Sequence, residues 1–497
     1  MKTPTVPGVA ELIREALSVY RDDPAAVATL EGYAGRLAEP LRIAVAGMVK
    51  AGKSTLLNAI IGEEIAPTDT AECTRIVTWY RFAHSPRITL EPIAGEPRLL
   101  PLKRVSGRLV FDLGGARAED VERLVVEWPS ESLRNVTLID TPGIASLSED
   151  VSARSVRFLT PDDAPSQADA VVYLMRHMHA TDLRFLESFK DTEAGRSGTV
   201  NAIAVLSRAD EIGAGRIDSM LSAGDIAERY RRDPSLRKLA LGVVPVAGLL
   251  AQSARSMRQS DFESLALLAA MERPERERLL LSADRFLRSG IPEGLTADAR
   301  EQLLERFGLF GIRLGIVLFR AGFRDPTPLA HELARRSGLD PLLGMLAGQF
   351  HARADALKAR TALVGVEALL RTSPRVGSGH LAAALERLQV NAHEFRELRL
   401  LATLRTTGVP LRHDLAAEAE RIIGGDGVAA HIRFGLNPDA TAEDIGAAAH
   451  QVLHRWRLVA ENPLTDRAAL EVCRVVVRSC EGVLAESAGL HLHRQPA

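Results

Sequence analysis

The chain has 497 residues, of which 46% are hydrophobic and 25% charged, and its formal net charge is −2. Those are the proportions of an ordinary globular protein with room for roughly two to four domains, and neither the charge balance nor the 4% aromatic content suits a nucleic-acid partner. Cys73, Cys473 and Cys480 are too few for a disulfide framework and are not spaced as a zinc site, so a reducing, cytoplasmic setting is expected.

The N-terminus leads into Glu11, Arg14 and Glu15 without a long apolar core, which does not suit a signal peptide. Val9, Leu12, Ile13, Ala16 and Val19 share one face of a predicted helix over residues 9–22. A second helical pattern runs from Ala25 to Leu37 and is stopped by Pro40. The apolar run Leu41–Ala46 then leads into Gly47-Met48-Val49-Lys50-Ala51-Gly52-Lys53-Ser54-Thr55, and a helical pattern opens at Leu56. Strand, glycine loop and helix start form the context in which G-x-x-x-x-G-K-[S/T] cradles a polyphosphate. The glycines let the backbone curl tightly. Loop N–H groups at Gly47, Val49, Lys50, Ala51 and Gly52 and at the helix start, Lys53 to Thr55, would face the anion. Lys53 would reach the terminal phosphates and Ser54 would hold Mg²⁺.

From 41 to about 250, strands and helices alternate as in a doubly wound α/β sheet. The strand candidates are Ile43–Ala46, Val121–Trp128, Val136–Ile139, Ala170–Met175, Ala202–Leu206 and Val243–Val246. Between Thr74 and Val121 lie short β signals, Ile88–Ile93 and Leu109–Leu113, which read as an added hairpin at the sheet edge. Asp140-Thr141-Pro142-Gly143 follows a strand. Asp140 would hold Mg²⁺ through water, and the Gly143 N–H would approach the γ-phosphate. A threonine completing the Mg²⁺ shell must lie between Ser54 and Asp140. Thr74, where a loop enters a strand, is preferred, with Thr70 next, while Thr68 and Thr78 read as loop-cap and sheet residues. Ser207-Arg208-Ala209-Asp210 occupies the place where GTPases carry [N/T]-K-x-D. The Asp210 carboxylate can accept from guanine N1–H and N2–H₂, two donors that adenine does not offer. Ser207 and Arg208 replace the usual residues, and the Arg208 stem can still cover the base. No glutamine follows Gly143, where Ile144 stands. Lys50, three residues before Lys53, is therefore the candidate for an in-cis catalytic cation acting as an arginine finger does.

After about 256 strands give way to Ala-, Leu-, Arg- and Glu-rich helical patterns, with interruptions at Phe307–Ile312, Asp325–Pro328, Gly338–Pro341, Ser373–Gly379 and Gly424–Gly427. The apolar stretches Leu239–Ala254 and Leu309–Phe319 are too short to span a bilayer, and the second contains Arg313.

With the segments around Gly47–Ala59, Ala66–Trp79, Val125–Gly143 and Ser207–Arg216 in place, the chain resembles the dynamin superfamily, and within it the actinobacterial dynamin-like GTPases of the isoniazid-inducible Ini group. Its length is similar to that of the shorter member of that set. The resemblance implies a GTPase head on an elongated helical neck or stalk drawn from both ends of the chain: neck helices over 1–40, a GTPase domain over 41–325 and a neck/trunk over 326–497. It also implies a nucleotide-dependent head dimer, Mg²⁺ as cofactor, GTP as substrate, and turnover coupled to membrane remodelling at the inner face of the cytoplasmic membrane. A sister dynamin-like GTPase is an implied partner. Dynamin relatives often hold a monovalent cation against the P-loop, whereas guanylate-binding relatives place an arginine at the Lys50 position, which agrees with the in-cis role. Pro245-Val246-Ala247-Gly248 is similar to the last guanine-contacting loop, with Ala247 the contact. Membrane-active relatives carry an apolar element at the stalk tip, whereas Ser373–Gly379 and Gly424–Gly427 are short and polar. A GTP-regulated scaffold for a sister protein therefore stands as the alternative. Asp210 argues against an ATPase.

Overall fold

The computed structural model describes residues 8–67, 75–105, 108–143, 166–193 and 201–492. The strands are β1 (Leu41–Gly47), β2 (Val77–Phe82), β3 (Arg87–Pro92), β4 (Arg98–Leu100), β5 (Lys103–Val105), β6 (Arg108–Val110), β7 (Val121–Trp128), β8 (Val136–Asp140), β9 (Ala170–Met175), β10 (Ala202–Ser207) and β11 (Val243–Val246). Nine of them form one sheet in the order β11-β10-β9-β1-β8-β2-β7-β3-β4. The half from β11 to β8 is parallel throughout. Its strands β9 and β10 are buried on both faces, as the continuous runs AVVYLM and AIAVLS require.

All six predicted strands form. The region between Thr74 and Val121 differs from the expected edge hairpin. Its first strand, β2, lies inside the sheet, antiparallel to β8 and with Thr78 opposite Asp140. β7 continues parallel to β2, and β3 and β4 follow antiparallel at the edge. Only β5 and β6 make a separate two-stranded hairpin, and the predicted strand Leu109–Leu113 stops at Val110. The Pro, Gly and Arg interruptions marked the strand ends, but short alternating runs do not say which strand is interior.

Helices α1 (Val9–Val19) and α2 (Pro24–Ala38) precede β1, and α3 (Lys53–Ile61) follows the glycine loop. In α1 the predicted face is the buried one, at Val9, Leu12, Ile13 and Ala16. It packs with Leu30, Ala362, Leu363, Val366 and Leu381, so the N-terminal helices join those after residue 350 in one core. Tyr33 of α2 packs so closely on Gly365 that a side chain there would collide with its ring. Helices Gln259–Ala270, Arg273–Leu279, Ala283–Arg288 and Ala297–Arg320 form a group beneath the sheet end, built on Leu250, Leu265, Leu268, Phe286, Phe307 and Phe310. The expected break near residue 308 is a non-helical Gly308 (φ 60°, ψ 176°) inside the last of these helices. The later helices, including the hairpin Ala442–Glu461 with Arg467–Leu492, pack through Leu401, Ile422, Trp456, Cys473 and Cys480, and this core is continuous with one face of the sheet.

Candidate functional site

The site lies at the carboxyl ends of the parallel strands, where β1 passes into α3. Gly47 (φ 149°) lies against the Leu174 carbonyl of β9, which leaves no room for a Cβ. Gly52 (φ 92°) caps α3 without a side-chain hydrogen bond, so the first-turn N–H groups are open to an anion. Lys53 Nζ donates to the Gly47 and Met48 carbonyls at 3.2 and 3.3 Å. Burial lowers its pKa, opposed by the Asp140 charge.

Ser54 Oγ donates to Asp140 Oδ2 at 2.9 Å. Among the described residues, Asp140 Oδ1 has no partner, and it is shut off from solvent. Burial pushes this carboxyl up to about 6, against the opposing effects of Lys53 and Ser54. A desolvated oxygen with an unused lone pair, beside a serine hydroxyl and an ammonium, fits a hard divalent cation with oxygen ligands. The turn after β8 is anchored by Thr141 Oγ1 to the Val45 carbonyl at 3.0 Å. It then brings Gly143 so close to the glycine loop that a Cβ would fall 2.7 Å from Val49 Cγ2. Thr68, Thr70, Thr74 and Ile144 lie outside the described residues, and Thr78 is a buried sheet residue, as expected.

Lys50 is exposed at the loop and holds a left-handed backbone (φ 62°). Among the described residues, the other non-glycine positions with positive φ are Arg208 (52°) and Ala214 (61°). All three lie on the glycine loop or the segment around Asp210, as expected where function over-determines conformation.

Beside the glycine loop is a cavity of about 150 Å³, lined by Ala51, Gly52 and Thr55 on one side and Ser207, Arg208 and Asp210 on the other. The two predicted motifs, more than 150 residues apart in sequence, therefore face one space. Asp210 is buried, and burial pushes its carboxyl up to about 6, with its own backbone N–H opposing. Arg208 donates to Glu211 Oε1 at 2.7 Å, and Glu211 also pairs with Arg176 at 2.8 Å. Ser207 is buried and ties β10 to β9 by donating to the Met175 carbonyl at 3.2 Å. Ala247 is fully buried, with its N–H on the Ser337 carbonyl at 2.8 Å, and does not line the cavity; its neighbours Val246 and Gly248 do.

The apolar walls, Leu56, Leu174, Val205 and Leu249, were missed by motif reading. Leu174, Val205 and Val246 are strand-end residues whose apolar character reads equally as core. Leu249 sits in the run Leu239–Ala254, weighed only for membrane spanning. Among the described residues no helix is long and apolar enough to cross a membrane.

Residues 43–207 match the family model described as the Dynamin family. The chain is 44% identical over 484 residues to the isoniazid-induced protein IniC of Mycobacterium tuberculosis, covering 96% of this chain and 98% of that one. It is 29% identical to the bacterial dynamin-like protein of Nostoc punctiforme, over 30% of this chain and 22% of that protein, and 30% identical to IniA of M. tuberculosis over 138 residues. A solved structure described as an oligomerised bacterial dynamin pair superimposes over 97% of this chain and 73% of its own at 14% identity, with a TM-score of 0.30. With 44% identity over 98% of the length of IniC, the chain belongs to the dynamin family, as a bacterial dynamin-like protein of the IniC type.

Proposed function

We propose that the chain binds GTP with Mg²⁺ and hydrolyses it, that two heads pair across the nucleotide, and that turnover moves the helical stalk to remodel a membrane. The observation that carries the nucleotide part is the cavity shared by the glycine loop and Asp210. A buried carboxylate there repays its desolvation by accepting the two guanine N–H donors. Ser54 and Asp140 would hold the metal, which neutralises charge between the outer phosphates when bound. Lys53 and the open N–H groups of α3 bind and orient the polyphosphate. The Gly143 N–H lies where a γ-phosphate would be sensed. Thr74 completes the metal shell in this reading. Lys50, on an exposed strained loop, supplies the in-cis cation that stabilises charge developing between the phosphates. The packing of α1 and α2 on Ala354–Thr372 supports joining neck helices over 1–40 to the later helices, and in this reading the GTPase domain spans 41–325 and the neck/trunk 326–497.

The alternative is a GTP-regulated scaffold for a sister dynamin-like protein. It is favoured by the Ser373–Gly379 turn, which is tied down and exposes Val376 as its single large apolar side chain. Tyr20 donates to the Ser373 carbonyl at 2.7 Å, and Arg375 pairs with Asp22 at 2.8 Å. In either reading the protein works in the cytoplasm, peripheral to the membrane's inner face.

The test is GTP turnover with and without anionic vesicles, together with native mass in a transition-state analogue. Turnover and an analogue-dependent dimer, both lost in Lys53→Ala, are expected. No GTP binding by the intact chain overturns the nucleotide reading. Turnover without vesicle sedimentation leaves the scaffold.

A further inference from the structure

The segment after Asp210 contains three consecutive left-handed residues, Gly213 (φ 65°), Ala214 (61°) and Gly215 (68°). An alanine resists this conformation, and a run of three is not a local preference of the chain. The turn folds back on the base-reading residue: a Cβ on Gly215 would lie 3.6 Å from both the Asp210 carbonyl oxygen and the Phe310 nitrogen.

Within the segment, the Ala214 N–H donates to the Glu211 carbonyl at 3.1 Å, but the carbonyls of the turn itself are held from elsewhere. Arg313, on the helix Ala297–Arg320, donates through one guanidinium nitrogen to the carbonyls of Ala214 (3.2 Å) and Gly215, and through the other to the Leu280 carbonyl at 2.5 Å. Left-handed geometry is what aims two successive carbonyls at one nitrogen. Arg313 is half-buried, and burial lowers its pKa, so the cation sits against partial charges in a poorly solvated place. Two turns earlier on the same helix, Arg306 pairs with Glu64, just after α3, at 3.0 Å and with Asp261 at 3.1 Å. The helix thus holds both the turn behind Asp210 and the segment that follows the far end of α3.

We propose that Arg313 is a positioning residue for guanine specificity: it locks the Gly213–Gly215 turn and thereby fixes the backbone that aims Asp210. This inference rests on the GTP reading of the site. It goes beyond that reading by making base selection depend on a helix that never touches the nucleotide.

The informative measurement is the ratio of GTP to ITP affinity, since ITP lacks only the 2-amino donor. Loss of stability alone weakens both ligands equally and leaves the ratio unchanged. Arg313→Ala is expected to weaken GTP roughly tenfold or more and to bring the ratio toward one, because a displaced carboxylate loses its charge-assisted bond to N2–H₂. Arg313→Lys keeps the charge without the fork, should show the same direction, and serves if the alanine variant does not fold. Adding Ala214→Gly to either variant should recover part of the ratio, since glycine holds the turn without strain. A ratio within twofold of the parent in both variants overturns the proposal. A parent chain that binds neither GTP nor ITP instead overturns the underlying reading of the site.

Discussion

Lys50 is the residue where local cost and proposed chemistry diverge most. It holds φ 62° on an exposed loop, a conformation costing about 1 kcal/mol relative to glycine. Lys50→Gly should therefore raise the melting temperature slightly, while GTP turnover falls about a hundredfold or more if the ammonium is the catalytic cation. Lys50→Ala should bind GTP within about threefold of the parent and lose turnover similarly. Single-turnover assays beside equilibrium binding check both, and unchanged turnover removes the role. Asp210 makes a second prediction. Its carboxyl titrates near about 6 in the nucleotide-free protein, and only the ionised form accepts two guanine donors. GTP affinity should hold above pH 7 and fall by up to tenfold per pH unit below about 6. Asp210→Asn should shift preference from GTP to XTP, because xanthine presents an acceptor where guanine presents its amino group. Competition binding at fixed pH checks that shift.

At the scale of elements, a buried carboxylate joins the head to its neck. Asp169, just before β9, accepts from Arg36 of α2 at 2.8 Å, from the Arg42 N–H at the start of β1 at 2.9 Å and from Thr361 of Ala354–Thr372 at 3.2 Å. Lys358 of that helix donates to the Leu37 and Glu39 carbonyls. β1 and β9 run from this point to the glycine loop and the cavity that Asp210 lines. Arg36→Met leaves the Asp169 charge buried with fewer partners and should cost about 3 to 5 kcal/mol. Adding Asp169→Leu should recover much of that loss, since the pair's desolvation disappears with its charges. Urea titration of the single and double variants measures both. A single variant as stable as the parent would show that the link is not a structural one. The sequence marks α2, β1 and β9 as elements, but nothing in it says that Arg36, Asp169 and Thr361 meet.

For the whole molecule, acid response follows from carboxylates shifted in opposite directions. Glu397, on the helix His393–Thr406, accepts from Arg433 at 2.6 Å and Ser479 at 2.7 Å. Burial alone would raise its pKa, but His393, Arg433 and Ser479 outweigh it and hold the carboxyl at about 2. A depressed folded pKa contributes stability that is fully present above about 4.5 and is lost as pH falls toward 2. Asp140 and Asp210 lie above their ordinary values. The folded protein therefore binds protons more tightly than the unfolded chain there, and stability rises as pH falls from about 6 toward 4. The nucleotide-free protein should melt highest at about pH 4 to 4.5, where the gain from Asp140 and Asp210 is nearly complete and the loss from Glu397 begins. Saturating Mg²⁺ and GTP should move that optimum toward neutrality by supplying partners to both carboxylates. Melting curves across pH with and without ligand check it, and an optimum that does not move contradicts the placement of ligand against Asp140 and Asp210.

Much of the head was legible because its chemistry is local. A phosphate loop needs two glycines, a lysine and a serine between a strand and a helix, and those constraints act within nine residues. The same holds for the six apolar strands, the amphipathic face of α1 and the break at Gly308. Register and pairing across long loops are not local, so the interior place of β2 was missed, as were the apolar walls of the cavity beside the glycine loop. By itself the sequence determined the glycine loop between strand and helix and the alternation that makes a parallel sheet, because short-range sterics and hydrophobic period specify them. Only the tertiary structure decided that Asp140 buries an oxygen with no partner among the described residues, that Arg36, Asp169 and Thr361 converge, and that Arg313 reaches the turn behind Asp210. Each depends on bringing distant segments together, and that geometry follows from packing of the whole core rather than from any one stretch of chain.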